Sequence, residues 1–411
     1  MLKLKQLDNN QNIQGKRVLL RVDLNVPLKD GSITENSRIE KVLPTINFLI
    51  KKKAKIIIIS HLGRPKGKVV PGLTLKPISK KLSEYLNQNV YFLDKNIGKD
   101  AVKKSNEISD GEVLLLENLR FCNEEELNSK SFAKELAKNG DIFINEAFSC
   151  SHRAHASICE ITNHIDSYSG KMLLEEINFI RMLTSNAKKP VTCIMGGSKI
   201  STKIGILSNL LKKMETIVIV GAMANNFIKY KGYNIGKSLF EKNQENLLKD
   251  ITEKCKTNNC NLVLPEDVIV AKNYKSKGLL KTLDKIDDTD LILDIGEKTV
   301  KKISEIIETS KTVLWNGPAG YFEFEEFSYG SNKIAKKITE NTKKKSLISI
   351  AGGGDTVAAI NKFGCSEGFT YISTAGGAFL ELLEGKILPG IKALETNEWN
   401  RKYCKTNGSK G

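Results

Sequence analysis

Short runs of Val, Ile and Leu alternate along the whole chain with longer stretches in which apolar residues recur every three or four positions. The short runs read as buried strands. In the first half they fall at residues 17–22, 55–60, 90–93, 112–116 and 141–145. In the second half they fall at 191–195, 217–220, 261–264, 291–294, 312–315, 347–351 and 370–373. Between many of them lie helical patterns, among them residues 38–52, 131–138, 201–213, 299–309 and 355–362. Strands that are apolar on both faces, separated by helices, imply parallel sheets covered on both sides. Residues 171–189, KMLLEEINFIRMLTSNAKK, read as one amphipathic helix ending before Pro190. The expected fold is α/β: two doubly wound, Rossmann-like parallel-sheet domains joined by a helix and hinge, with a cleft between them. The expected divisions are 1–172, the helix 173–189, 190–390, and a segment 391–411 returning towards the first domain. The end of that tail is expected to be loose, although Trp399 and Tyr403 suggest that part of it docks.

Punctuating residues gather where these strands end. DLN follows the first strand, HLGR the second, ENLR the fourth, and NEAF then SHRAH the fifth. In the second half GGSK, GAMANN, PED, NGPAG, AGGGD and STAGG each follow a strand. Open parallel sheets bind ligands beyond the carboxyl ends of their strands. A chain loaded at nearly every such end is built around its sites, with a ligand expected on each domain.

Composition sharpens the chemistry. Of 64 Lys and Arg residues only eight are Arg, and five of these, Arg21, Arg38, Arg64, Arg120 and Arg153, lie in the first-half segments. A chain that uses lysine for ordinary positive charge has kept the planar fork that grips carboxylate or phosphate at two points. Three of the four histidines, His61, His152 and His155, lie in the same loops, with Asp23 and Asn25 nearby in sequence. The set suits a small anion carrying phosphate, carboxylate and hydroxyl. The net charge of +17 raises nucleic acid as a partner, but the lysines are spread over helical stretches and aromatics make up only 7% of the chain. A solvated basic surface is the better reading, with no specific nucleic acid expected. The N-terminus has no apolar signal core, and no apolar run approaches the ~20 residues of a membrane span. The eight cysteines form no CxxC pair. A reduced cytoplasmic setting is expected, with neither a disulfide framework nor a zinc site.

The second half is rich in glycine where the first is rich in arginine. GGSKIST ends a strand and opens a helix that carries Lys199 and Lys203. Glycines let a phosphate approach the backbone, and the amides of a helix start favour anions. AGGGDTVAA places Asp355 at another helix start, and STAGGA gives a third glycine-loaded one. A carboxylate beside phosphates is a natural Mg²⁺ ligand. Neither GxxxxGK[ST], nor GxGxxG after the first strand, nor the protein-kinase motif set is present.

In order and spacing, RVDLNVP, SHLGRP, LLLENLRF, GGSKISTK, LWNGPAGYFEF, AGGGDT and FLELLEGKILPG resemble the phosphoglycerate kinase family, over residues 16–391. The resemblance implies an enzyme of glycolysis and gluconeogenesis that moves a phosphoryl group between 1,3-bisphosphoglycerate and ADP, with Mg²⁺, as a cytoplasmic monomer without membrane attachment. It implies a phosphoglycerate site at Asp23, Asn25, Arg38, His61, Leu62, Gly63, Arg64, Arg120 and Arg153. It implies a nucleotide site at Lys199, Lys203, Gly221, Asn316, Gly317, Glu323, Gly352, Gly353, Gly354, Asp355 and Thr356, with Asp355 on the metal. Arg38, Lys199, Gly353 and Gly376 are implied to act on the phosphoryl group in flight. The chain departs from the family pattern in four places: Glu146 in NEAF for the usual NDAF, SCS after it, Val220 at a common glycine place, and Ala375 in STAGGA. Two other readings are a two-domain anion-binding protein without turnover and a nucleic-acid binder. The first lacks a use for the lysines and aspartate of the glycine-rich half.

Overall fold

The structure, a computed structural model, describes residues 4–7, 11–29 and 31–395. The chain divides into two compact units. The first runs to Ile177 and is rejoined by the chain from Ile387; the second is Asn178–Lys386.

The first unit is built on a six-stranded parallel sheet, in the order Val90–Leu93, Val113–Leu116, Lys55–Ile59, Arg17–Arg21, Ile142–Asn145, Asp166–Ser169. Leu20 pairs with Ile58 on one side and Ile144 on the other. Residues 18–21 and 56–59 are all buried, as strands covered on both faces must be. The helix Ser37–Lys51 covers one face with Ile39, Val42, Ile46 and Leu49, a spacing that puts all four on one side. Burying each such side chain stabilises the unit by roughly 1.5–3 kcal/mol. The sixth strand, Asp166–Ser169, escaped the pattern reading because DSYS carries no apolar alternation, yet Ser167, Tyr168 and Ser169 are buried.

The second unit has its own six-stranded parallel sheet: Asn261–Val263, Thr216–Ile219, Val191–Met195, Thr312–Asn316, Ile348–Gly352, Tyr371–Ser373. One expectation needs correcting. The run at 291–294 is a strand, Leu291–Ile295, but it lies in a separate three-stranded antiparallel sheet with Asp267–Ala271 and Leu279–Thr282. A parallel pairing needs a crossover of a dozen or more residues, usually helical. The segment between Leu264 and Leu291 has no α-helix to supply one, only the 3₁₀ turn Leu283–Lys285, so the strands reverse directly.

Helix limits differ from the periodic pattern by a few residues. The stretch expected at 201–213 is a 3₁₀ turn, Ser201–Lys203, followed by the helix Ile204–Leu210. The connecting helix is Lys171–Ser185, and the division between the units falls inside it. The rejoining segment forms the helix Pro389–Glu395, anchored where the Gly390 amide donates to the Ser151 carbonyl at 2.9 Å. A Cβ at Gly390 would meet Ile158 at 2.6 Å, so only glycine allows that approach. Trp399 and Tyr403 lie outside the described residues. Among the described residues no helix is long and apolar enough to cross a membrane.

Candidate active site

Each parallel sheet has one point where the chain leaves its central strand in one direction and later returns to fill the other side. In the first unit that point lies between Arg17–Arg21 and Ile142–Asn145. The loops beyond it carry Asp23 and Ser149, whose hydroxyl donates to Asp23 Oδ2. Arg38, at the start of the helix Ser37–Lys51, donates to the same carboxylate at 2.6 Å. The Asn25 amide donates to Asp23 Oδ1 at 3.0 Å, and Asn25 Oδ1 accepts from the Gly63 amide at 2.8 Å. Burial opposes ionisation of Asp23. The Arg38 guanidinium, with the Ser149 hydroxyl and the Asn25 amide, outweighs it and holds the carboxyl below its usual range. Gly63 has φ +63°, and its carbonyl accepts from Arg120 Nη1 at 2.7 Å. Arg120 is buried and Arg153 half-buried, whereas Arg64 is exposed.

Beneath this surface lies a buried polar layer. Arg21, read from sequence as one of the anion-binding arginines, is only 1% exposed. Its Nε donates to Ser157 Oγ at 3.0 Å, and Nη2 lies 3.2 Å from His61 Nδ1. Arginine can only donate, so a neutral His61 accepts at Nδ1 and carries its proton on Nε2. Burial holds His61 well below its ordinary value against the pull of Asp23, and Arg21, Arg120 and Arg38 add to the effect. Arg21 thus fixes the His61 tautomer from below. Glu125, fully buried, accepts from the Ser157 amide at 2.9 Å and its hydroxyl at 2.6 Å. Sequence reasoning did not single out Asn118, although it lies within ENLR. Its side chain donates to the Leu62 carbonyl at 2.7 Å and accepts from the Leu62 and Arg120 amides at 3.2 Å and 3.1 Å. One buried amide therefore sets both the HLGR and ENLR loops.

In the second unit the corresponding point lies between Val191–Met195 and Thr312–Asn316. Here the backbones of GGSK and NGPAG pack directly together. The Gly196 amide donates to the Asn316 carbonyl at 2.9 Å, and a Cβ at Gly196 would lie 2.1 Å from the Pro318 carbonyl oxygen. Lys203 donates to Asn316 Oδ1, and Asn316 Nδ2 lies at 2.5 Å from the Gly352 carbonyl. The Gly317 amide donates to Thr356 Oγ1 at 2.7 Å. Burial lowers Lys203, against Cys193, Asp355 and Glu384, which favour its charge. Gly353 has φ +97° and caps the helix Gly354–Lys362; Gly376 has φ +52° and caps Gly377–Leu383. Asp355 is exposed at its helix start, and no hydrogen bond or ion pair engages it among the described residues. Lys199 is exposed too. A cavity of about 260 Å³ opens here, with Gly197, Gly221, Glu323 and Asp355 on its polar side and Ile228, Leu239, Val268 and Leu291 on its apolar side.

The four departures find local reasons. Val220 is fully buried in the core of its unit, and the positive φ of +64° belongs to Gly221, which the chain retains. Ala375 is buried and is not among the residues with positive φ, so its methyl introduces no backbone strain. Glu146 reaches Thr45 Oγ1 on one side and accepts from the Leu173 amide at 3.2 Å on the other, capping the connecting helix. In SCS, Ser149 serves Asp23, and Cys150 packs 3.7 Å from Arg21 Nη2.

A family profile described as phosphoglycerate kinase matches residues 7–386. A phosphoglycerate kinase of Bartonella bacilliformis is 45% identical over 388 residues, covering 94% of this chain and 97% of the relative. One from the Wolbachia of Brugia malayi is 47% identical over 389 residues, with coverage of 94% and 97%. The solved phosphoglycerate kinase of Coxiella burnetii is similar with a TM-score of 0.86 at 41% identity, covering 94% of this chain and 97% of that one. That of Pyrococcus horikoshii OT3 gives 0.81 at 31%, covering 97% and 100%. With the profile spanning most of the chain, and relatives matched almost end to end, the chain belongs to the phosphoglycerate kinase family.

Proposed function

We propose that this chain catalyses reversible, direct in-line phosphoryl transfer between 1,3-bisphosphoglycerate and ADP, giving 3-phosphoglycerate and ATP. The observation that carries the reading is the pairing of sites. The switch point of one sheet bears an ionised Asp23 with Arg38 and a neutral His61, and that of the other bears Lys199, Lys203 and glycine-capped helix starts. The first suits an anion with a hydroxyl and two charged ends: Asp23 and Asn25 for the hydroxyl, Arg64, Arg120, Arg153 and His61 for the oxyanions. The second suits a nucleotide, with phosphates along Lys203 and the amides of Gly353–Thr356 and the base in the apolar part of the cavity near Gly221 and Glu323.

In the forward direction an ADP β-phosphate oxygen attacks the acyl phosphate. The P–O bond to the carboxyl carbon's oxygen breaks, and 3-phosphoglycerate leaves as a carboxylate of low basicity. Neither a general base nor a phospho-enzyme is needed. The residues' task is alignment and neutralisation of charge on the transferring oxygens. Arg38 approaches that charge from one side, and Lys199 with the amides at Gly353 and Gly376 from the other. Asp355, an exposed carboxylate at the start of the helix Gly354–Lys362, has the chemistry to hold Mg²⁺, which would supply positive charge to the phosphates. Because the two residue sets belong to different units, transfer requires the units to close on their ligands. The reading predicts a monomer acting on these small molecules in the cytoplasm. A coupled assay with ATP and 3-phosphoglycerate tests it. Mg²⁺-dependent turnover is expected, and its absence would overturn the proposal.

A further inference from the structure

The helix start after GGSK is already occupied by a carboxylate. Glu241 Oε2 accepts from the Ser201 amide at 2.9 Å, and Oε1 accepts from the Ser201 hydroxyl at 2.6 Å. Burial pushes the Glu241 carboxyl up. The Ser201 hydroxyl, the Ser201 and Ile200 amides and the charge of Lys199 outweigh it and keep it ionised. Glu241 is itself held from the GAMANN helix, Ala222–Tyr230. Asn226 donates to the Glu241 carbonyl at 2.8 Å and accepts from its amide at 3.3 Å. The neighbouring Asn225 donates to the Leu239 carbonyl at 2.9 Å. The same helix grips the other end of the loop, where the Met223 amide donates to the Gly197 carbonyl at 2.9 Å.

Lys199 therefore sits on a loop fastened on both sides to one helix, directly at Gly197 and through Glu241 at Ser201. A lysine has a long flexible stem, and its ammonium is only as well placed as the backbone beneath it. We infer that Glu241 is a positioning residue: it fixes the backbone on the Ser201 side of Lys199, completing the hold that the Met223 amide has on Gly197, so that the ammonium meets the transferring phosphoryl group. This rests on the kinase reading above and adds to it a residue outside the phosphate contacts.

The test is a double-mutant cycle of E241A with K199A, read by kcat and KM in the coupled assay. Displacing a catalytic group by an ångström costs on the order of 10²-fold in rate, so E241A alone is expected to lower kcat by at least about tenfold. KM for both substrates should move by less than about threefold, because ground-state contacts are untouched. In the K199A background E241A should cost less than about twofold, because nothing remains to be positioned. S201A, which removes one of the two hydrogen bonds and keeps the charge, should fall between and show the same dependence on Lys199. It serves as the readout if E241A fails to fold. Equal losses in both backgrounds, or near-wild-type kcat for E241A, would overturn the inference alone. An inactive wild-type chain would overturn the kinase reading and this inference with it.

Discussion

At the scale of the residue, the chemistry turns on which cations face the ligand and which hold the site together. Arg38 and Arg21 lie in neighbouring motifs and look alike in sequence. In the structure Arg38 is half-buried beside Asp23, whereas Arg21 is sealed under His61. Burial and partner choice depend on tertiary packing, which a single sequence does not display. Arg38→Ala is expected to lower kcat by at least about 10²-fold, and Arg38→Lys to recover only part of it, because a point charge lacks the fork. Near-wild-type turnover in the alanine variant would remove Arg38 from the transfer. The buried layer has a consequence for pH. His155 is held at about 3 rather than 6.5 by burial, helped by Arg120, Arg21, Arg153 and His152. Glu125, 3.8 Å from its Nδ1, does not reverse this. Between those two values the unfolded chain binds more protons than the folded one. The stability that a neutral His155 contributes is therefore complete above about pH 6.5 and lost as pH falls towards about 3. His155→Gln removes that proton. Unfolding free energies from urea titrations between about pH 7 and about 4 should fall more steeply in wild type, by up to about 1.4 kcal/mol per pH unit. Parallel curves would show that His155 is not buried neutral.

At the scale of the element, the sequence was most readable where physics is local. Gly, Asn, Asp, Arg and Lys marked nearly every strand end, the two switch points among them without distinction, and the spacing of Ile39, Val42, Ile46 and Leu49 marked a helix face. It was least readable where partners are remote. Asp166–Ser169 is a strand because Ile142–Asn145 offers it an edge, and Leu291–Ile295 joins an antiparallel sheet because its neighbours lack a crossover. Glu241 lies 40 positions from Ser201, and nothing in either local pattern pairs them. The helix Gly354–Lys362 was legible from AGGGD, and its start gives an element-level prediction. Asp355→Asn keeps the helix-start shape and removes the charge. In calorimetry it should weaken Mg-nucleotide binding at least about tenfold and leave 3-phosphoglycerate binding within about twofold. Removing Mg²⁺ should erase most of the difference between variant and wild type. Equal loss of both affinities would make Asp355 a structural residue.

At the scale of the whole molecule, the two sites belong to different units, and the chain passes between them at the connecting helix Lys171–Ser185 and near Ile387. In-line transfer needs reacting atoms within about 3–3.5 Å of one another. A ligand on one unit alone gains nothing from the other unit's approach, so it has little differential affinity for a closed form. On the proposed reaction the two ligands together share the transferring phosphoryl, so closure is expected with that pair and not with either ligand alone. The chain has a device suited to transmitting it. Glu146 caps the connecting helix through the Leu173 amide and reaches Thr45 on the helix Ser37–Lys51, which carries Arg38, so that helix and the connector share one buried carboxylate. Small-angle scattering should therefore give a smaller radius of gyration with 3-phosphoglycerate plus Mg-nucleotide than with either alone. Glu146→Gln should retain single-ligand affinities and require higher concentrations of the pair to reach the compact form. Scattering that stays constant through every ligand combination would refute closure as a step in the reaction.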